Sequence, residues 1–251
     1  MYLKMSALDI QPSVITDLKT FLNSTKCWAY VNYLEDGVEK SIDVNNLDDP
    51  EIYKRIRLNP DKRLEFTRFA EDLYHNGLRP RVELSFCNQR LRKNKVHHIR
   101  YEVSLLKGKD NMRGMIFQIM DQTPDKKTLP ITQFEIRYNT LMSRWTEISS
   151  SGQSTGTNID AITPVVFDST KWYNLDMFIC LSTDPKKGHI KTFLDGSMVF
   201  ERRAITCSSA ERDPQIQFGI YAVKGFELKT QVRRLKWIEV PSVPTGTTFG
   251  V

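Results

Sequence analysis

From about residue 63 onward, apolar residues recur at every second position in short runs broken by turn residues. RVELSFC (81–87) sets Val82, Leu84 and Phe86 against Arg81, Glu83 and Ser85, and successive strand side chains point to opposite faces. LEFTRF (64–69) and IRYEVSLL (99–106) are further short runs, and QFEIRYN (133–139) places Phe134, Ile136 and Tyr138 inward. GMIFQIM (114–120) is almost wholly apolar, as a central strand would be. IKTFLDGSMVFE (190–201) predicts a hairpin turning at Asp195–Gly196. IQFGIYAV (216–223) and VRRLKWIEV (232–240) read as the last strands, and SSSGQSTGTN (149–158) as a flexible loop. No regular helix separates these runs, which argues for antiparallel sheets rather than βαβ units. The expected fold is all-β, a sandwich of two antiparallel sheets.

The first 56 residues differ. QPSVITDLKTFLNS (11–24) carries Val14, Leu18 and Leu22 at helical spacing, and a further helical turn is expected near residues 50–56. Between them CWAYVNYL (27–34) and the turn EDG predict a hairpin. With no Pro/Gly/Ser linker in view, residues 1–56 are expected to be an N-terminal elaboration packed on a main domain of residues 57–251.

The chain has 251 residues, 40% of them hydrophobic and 26% charged, ordinary for a globular protein with a substantial core. No apolar run is long enough to span a membrane. The stretch MYLKMSALDIQPSVITDLK lacks the apolar segment and cleavage site of a secretory signal. The protein is therefore expected to be cytoplasmic or particle-associated unless exported by a signal-independent route. Cys27, Cys87, Cys180 and Cys207 are scattered, with no CxxC pair, so buried thiols are expected, with no metal and no cofactor.

The 36 Lys and Arg against 30 Asp and Glu give a formal charge of +6. QRLRKNKVHHIR (89–100) concentrates Arg90, Arg92, Lys93, Lys95 and Arg100 without an acidic residue. Such a patch would attract a polyanion; a solvated hairpin loop is the alternative. Nucleic acid is not the expected partner, because no helix-turn-helix, zinc-finger or RNA-recognition signature accompanies the basic run.

Several strands carry polar groups on one face. Arg81 and Glu83 share a face, Gln118 shares one with Ile116 and Met120, and Gln217 and Tyr221 lie opposite Ile216, Phe218 and Ile220. In one curved sheet these residues would collect on one side, with Gly219 leaving room for a ligand near the backbone. Two readings stay open, a ligand groove or structural pairing of groups too costly to bury alone.

RPRVEL (79–84), FQIMD (117–121), IQFGIYAVKG (216–225) and the passage from Trp172 to Phe200 with its Asp–Gly turn follow one another in an informative order. This succession, from about residue 57 to 240, resembles the concanavalin A-like jelly-roll polysaccharide lyases, which include alginate, glucuronan and heparin-lyase-like enzymes. The resemblance implies a concave groove for an acidic, uronate-containing polysaccharide, possible cleavage by β-elimination, and these roles: Arg81 and Gln118 on the uronate carboxylate, Tyr221 as proton carrier. Glu83 would orient Arg81, and Gln217 with Arg90, Arg92, Lys93, Lys95 and Arg100 would contact substrate.

Met120 departs from the pattern. The resembling motif has histidine there, and a thioether takes no proton near neutrality. An ordinary tyrosine, with its pKa near 10, needs positive potential to act as a base. His75, His97, His98 and His189 do not match the position, though His97 or His98 could reach a groove from a loop. The alternative expectation is a non-catalytic structural or assembly protein, such as a virion component, that self-associates on a jelly-roll scaffold.

Overall fold

The structure is a computed structural model that describes residues 8–9, 17–25, 27–35, 38–42, 48–69, 72, 81–86, 90–107, 113–137, 140–222 and 227–249. In chain order its first elements are β1 (Leu8–Asp9), α1 (Leu18–Thr25), β2 (Trp28–Glu35), β3 (Val38–Ile42), α2 (Pro50–Arg55), β4 (Ile56–Leu58), β5 (Leu64–Arg68) and β6 (Arg81–Ser85). The long strands β7 (Val96–Lys107), β8 (Arg113–Gln122), β9 (Thr128–Arg137), β10 (Thr140–Ile148) and β11 (Ser154–Val166) follow. The last are β12 (Tyr173–Cys180), β13 (His189–Leu194), β14 (Ser197–Arg203), β15 (Gln215–Ala222) and β16 (Leu228–Val240).

Two antiparallel sheets result. The first runs β14-β13-β12-β7-β16-β5-β4 with β1 beside β16, and the second runs β11-β10-β9-β8-β15-β6-β2-β3. This is the expected two-sheet sandwich of the concanavalin A-like jelly-roll type, with minor helical elements. Residues 28–35 and 38–42, which the sequence assigns to the N-terminal elaboration, are strands of the second sheet, because β2 pairs directly with β6. None of the described helices is long and apolar enough to cross a membrane.

Alternation explains the core. Val82, Leu84, Ile216, Phe218 and Ile220 are all at most 1% exposed and face the first sheet. Across the interface, Tyr101 of β7 lies 5.6 Å from Phe117 and 4.9 Å from Phe218, and Phe86 lies 5.0 Å from Trp237. Truncating one of these buried rings to alanine would cost about 3–5 kcal/mol.

Local chemistry fixes the ends of the strands. Asp195 and Gly196, with φ of 47° and 78°, turn β13 into β14 as the sequence predicts. The stretch 149–158 is not a loop throughout: Gly152 donates to the Ser149 carbonyl, closing a turn that ends before β11 begins at Ser154. Its Ser, Thr and Gly residues suit an exposed edge strand, which needs little apolar surface. The helix expected over 11–24 is described only as α1, Leu18–Thr25. The expectations for Val14, His75, Cys87 and Tyr138 fall outside the described residues.

Candidate functional site

The outward face of the second sheet is built by the polar half of each alternation. Trp28, Ser85, Gln217 and Gln118 lie opposite one another across β2, β6, β15 and β8, and the row continues through Gln133, Arg144 and Asp160. A second row brings Asn32, Arg81, Tyr221, Met115 and Glu135 into register. Ile116 lies where the register of β8 shifts against both neighbours, so Met115 falls opposite Tyr221. Gly219 sits at the matching irregularity of β15. Its φ is +139°, and a Cβ there would lie 2.1 Å from the Val82 carbonyl oxygen, so only glycine lets β15 approach β6.

The side chains on this face bond to one another. Gln118 Nε2 donates to Glu83 Oε1 at 2.9 Å and to Gln217 Oε1 at 2.5 Å. Gln133 Nε2 donates to Gln118 Oε1 at 3.3 Å, and Gln217 Nε2 donates to Ser85 Oγ at 3.3 Å. Both protons of the Gln118 amide are thus engaged, which fixes its carbonyl and amide ends. Arg81 Nε stands 3.0 Å from Glu83 Oε2, but the angle is wrong for a hydrogen bond, so the pair is held by charge alone. The Arg81 guanidinium also lies 4.8 Å from the centre of the Tyr221 ring and 5.8 Å from that of Tyr30.

Glu83 is buried, and burial pushes its carboxyl pKa up from 4.5 to about 7, against the opposing influence of Arg81 and the Gln118 amide. Its charged form is the one that holds Arg81. Arg144 extends the network toward the edge, with Nη1 2.9 Å from Glu135 Oε1 and two further bonds, of 2.7 and 2.9 Å, to the Asp160 carboxylate.

Beside this network lies a depression of ≈ 180 Å³, whose walls include Tyr30, Arg81, Arg90, Arg212, Met120 and Gln217. Arg81, Glu83, Gln118, Gln217 and Tyr221 therefore share one face, linked through the Glu83 carboxylate and the Arg81 guanidinium. From the basic run only Arg90 lines the depression, bonding the Asp213 carbonyl at 2.7 Å and Gln215 Oε1 at 3.1 Å. Arg92 pairs with Glu239 on β16. Lys93 donates to the carbonyls of Ser208 and Ala210 at 3.0 and 2.6 Å. Lys95 is exposed in the turn before β7, and Arg100 lies 3.8 Å from Asp176 in the first sheet.

The described histidines belong to the first sheet. His97 and His98 are residues of β7 itself, bonded to the Arg92 carbonyl at 2.8 Å and to Asp176 at 2.7 Å, so neither is carried on a loop. His189 pairs with Glu201 at 2.7 Å. Met120 lines the depression. The sequence reading missed Gln133, Glu135, Arg144, Asp160 and Tyr30. The test that singled out Gln118, a polar residue alternating with core residues, would have found Gln133 and Glu135 as well.

The fold and this face define a jelly-roll sandwich with an arginine- and glutamine-bearing groove. The chain belongs to the polysaccharide lyase family, whose sequence profile it matches over residues 30–240. Among solved structures it is similar to the endo-β-1,4-glucuronan lyase of the fungus Trichoderma reesei, with a TM-score of 0.60 and 17% identity over 72% of this chain and 83% of that one. An alginate lyase from Corynebacterium sp. gives a TM-score of 0.59 with 13% identity over 89% and 99% of the two chains. An alginate lyase from Pseudomonas aeruginosa gives 0.61 with 11% identity over 86% and 99%. At these identities the structural likeness concerns the fold alone. No curated protein matches the sequence.

Proposed function

We propose that the chain binds a uronate-containing acidic polysaccharide along the outward face of the second sheet, and that β-elimination has been lost with the base at position 120. Arg81 carries the proposal. It stands 3.0 Å from Glu83 at Nε, its side chain is 28% exposed, and it lines the depression, so its guanidinium is open to an incoming carboxylate. Gln118, whose amide protons are taken by Glu83 and Gln217, would act from behind by holding Glu83, and Gln217, Arg90 and Arg212 would contact the chain around the carboxylate. Charge-assisted bonds from a planar guanidinium suit a carboxylate in both geometry and energy.

Elimination needs more than binding. Donors must stabilise the charge developing on the carboxylate, and a base within hydrogen-bond reach must take the proton beside it. Arg81 can serve the first need, whereas Met120 cannot serve the second. An active lyase is the second reading, favoured by the contact of Tyr221 with Arg81, and it would route both proton transfers through the Tyr221 hydroxyl.

The test is a panel of glucuronan, alginate and heparin-like polymers, followed by calorimetry for binding and by ultraviolet absorbance for the unsaturated uronate product. Binding without product is the expected result. Product at a substantial rate would establish the second reading. No binding to any polymer would overturn both and leave a scaffold or assembly role as the better description.

A further inference from the structure

Strand β2 holds an exposed aromatic residue that the network around Glu83 does not use. Ala29, Val31 and Tyr33 of β2 are buried at 0%, 0% and 7% exposure, which turns the alternate residues Trp28, Tyr30 and Asn32 to the outward face. Trp28 is 37% exposed. The other tryptophans are committed elsewhere: Trp145 and Trp237 are 1% and 4% exposed, and Trp172 lies under the Arg233 guanidinium at 4.1 Å. Trp28 shares its row with Ser85, Gln217 and Gln118, so the indole is continuous with the polar face.

Resting on the polysaccharide-binding reading above, we infer that Trp28 is a stacking platform for a second sugar ring of the same acidic chain. Trp28 lies four residues, roughly 14 Å, along β2 from Asn32, which pairs with Arg81; this is too far for the sugar unit held at Arg81 and suits a unit further along the polymer. A pyranose offers an apolar C–H face to an indole and hydroxyls around its rim. Trp28 supplies the contact for the first, and Gln217, which lines the depression, can meet the second. Tyr30, two residues on, lines the arginine-bearing depression and bridges platform and charge. The arginines of that depression make an anionic chain the matching occupant.

The experiment compares short and long oligomers of glucuronan and alginate on the unaltered protein, Trp28→Ala and Trp28→Phe, using calorimetry and tryptophan emission. Long oligomers should bind the unaltered protein about tenfold more tightly than short ones and shift its emission. Trp28→Ala should lose that length advantage while keeping its affinity for short oligomers, and Trp28→Phe should keep most of the advantage but lose the emission change. Equal affinity of Trp28→Ala and the unaltered protein for long oligomers overturns the platform alone. If the unaltered protein binds neither length, the groove assignment fails and the platform fails with it.

Discussion

On the outward face of the first sheet, His98, Phe178 and Phe193 meet Phe249, with ring centres 5.4, 5.0 and 5.6 Å from it. The segment carrying Phe249 is tied down by bonds from the Met198 amide to the Thr247 carbonyl and from the Phe249 amide to the Gly196 carbonyl. Lys191 beneath it donates to the Thr245 carbonyl at 3.3 Å and pairs with Glu201 at 3.4 Å. On the outward face of the second sheet the polar residues meet one another instead, and a depression with three arginines in its wall remains. Both faces begin from the same period-two pattern with charged residues on the outer half. One is closed by the segment around Phe249 through aromatic packing, while the other keeps a depression lined by three arginines. On the proposed function, the first face serves stability and the second serves binding.

The comparison is broken most severely at Glu83. A carboxyl whose folded pKa is raised keeps its proton longer in the folded state than in the unfolded one. Its contribution is therefore fully present below about pH 4.5 and is lost as pH rises through about 7. The fall is on the order of 3 kcal/mol over that window. Glu83→Gln should flatten it in urea denaturations run across pH, because the amide cannot ionise. An unchanged pH profile would mean that the carboxyl does not titrate where its burial implies.

Next in size is Arg81→Ala, which should weaken uronate-polymer binding by about 2 kcal/mol, some thirtyfold. Arg81→Lys should restore only part, because an ammonium lacks the planar fork. Phe249→Ala should do the reverse, lowering stability by about 1.5 kcal/mol in denaturant, less than a fully buried ring would cost, and leaving polymer affinity unchanged. If Phe249→Ala impaired binding as much as Arg81→Ala, the division between a closed face and a binding face would be lost.

Much of the sandwich was legible in the sequence because alternation and the Asp195–Gly196 turn are local signals. The shared face of Arg81, Gln118 and Tyr221 followed from the same periodicity. What was not legible depends on three dimensions. The irregularity at Ile116 and the close approach at Gly219 shift the register by one residue without a composition signal. β11 opens with Ser, Thr and Gly, which read as loop although pairing with β10 makes them strand. The basic run is contiguous in sequence, yet the chain crosses there from one sheet to the other, so Arg90 reaches the depression while Arg100 joins Asp176. Proximity in sequence overstated the patch, and alternation understated the reach of the network to Arg144.

The most direct measurement pairs the unaltered protein with Met120→His on glucuronan and alginate, following binding and unsaturated-uronate absorbance together. A base placed within reach of the carboxylate site should raise the elimination rate by about 100-fold or more while affinity stays similar. Binding without product in the unaltered protein, and product from Met120→His, is the predicted result. Rapid product formation by the unaltered protein that Met120→His does not improve would contradict it.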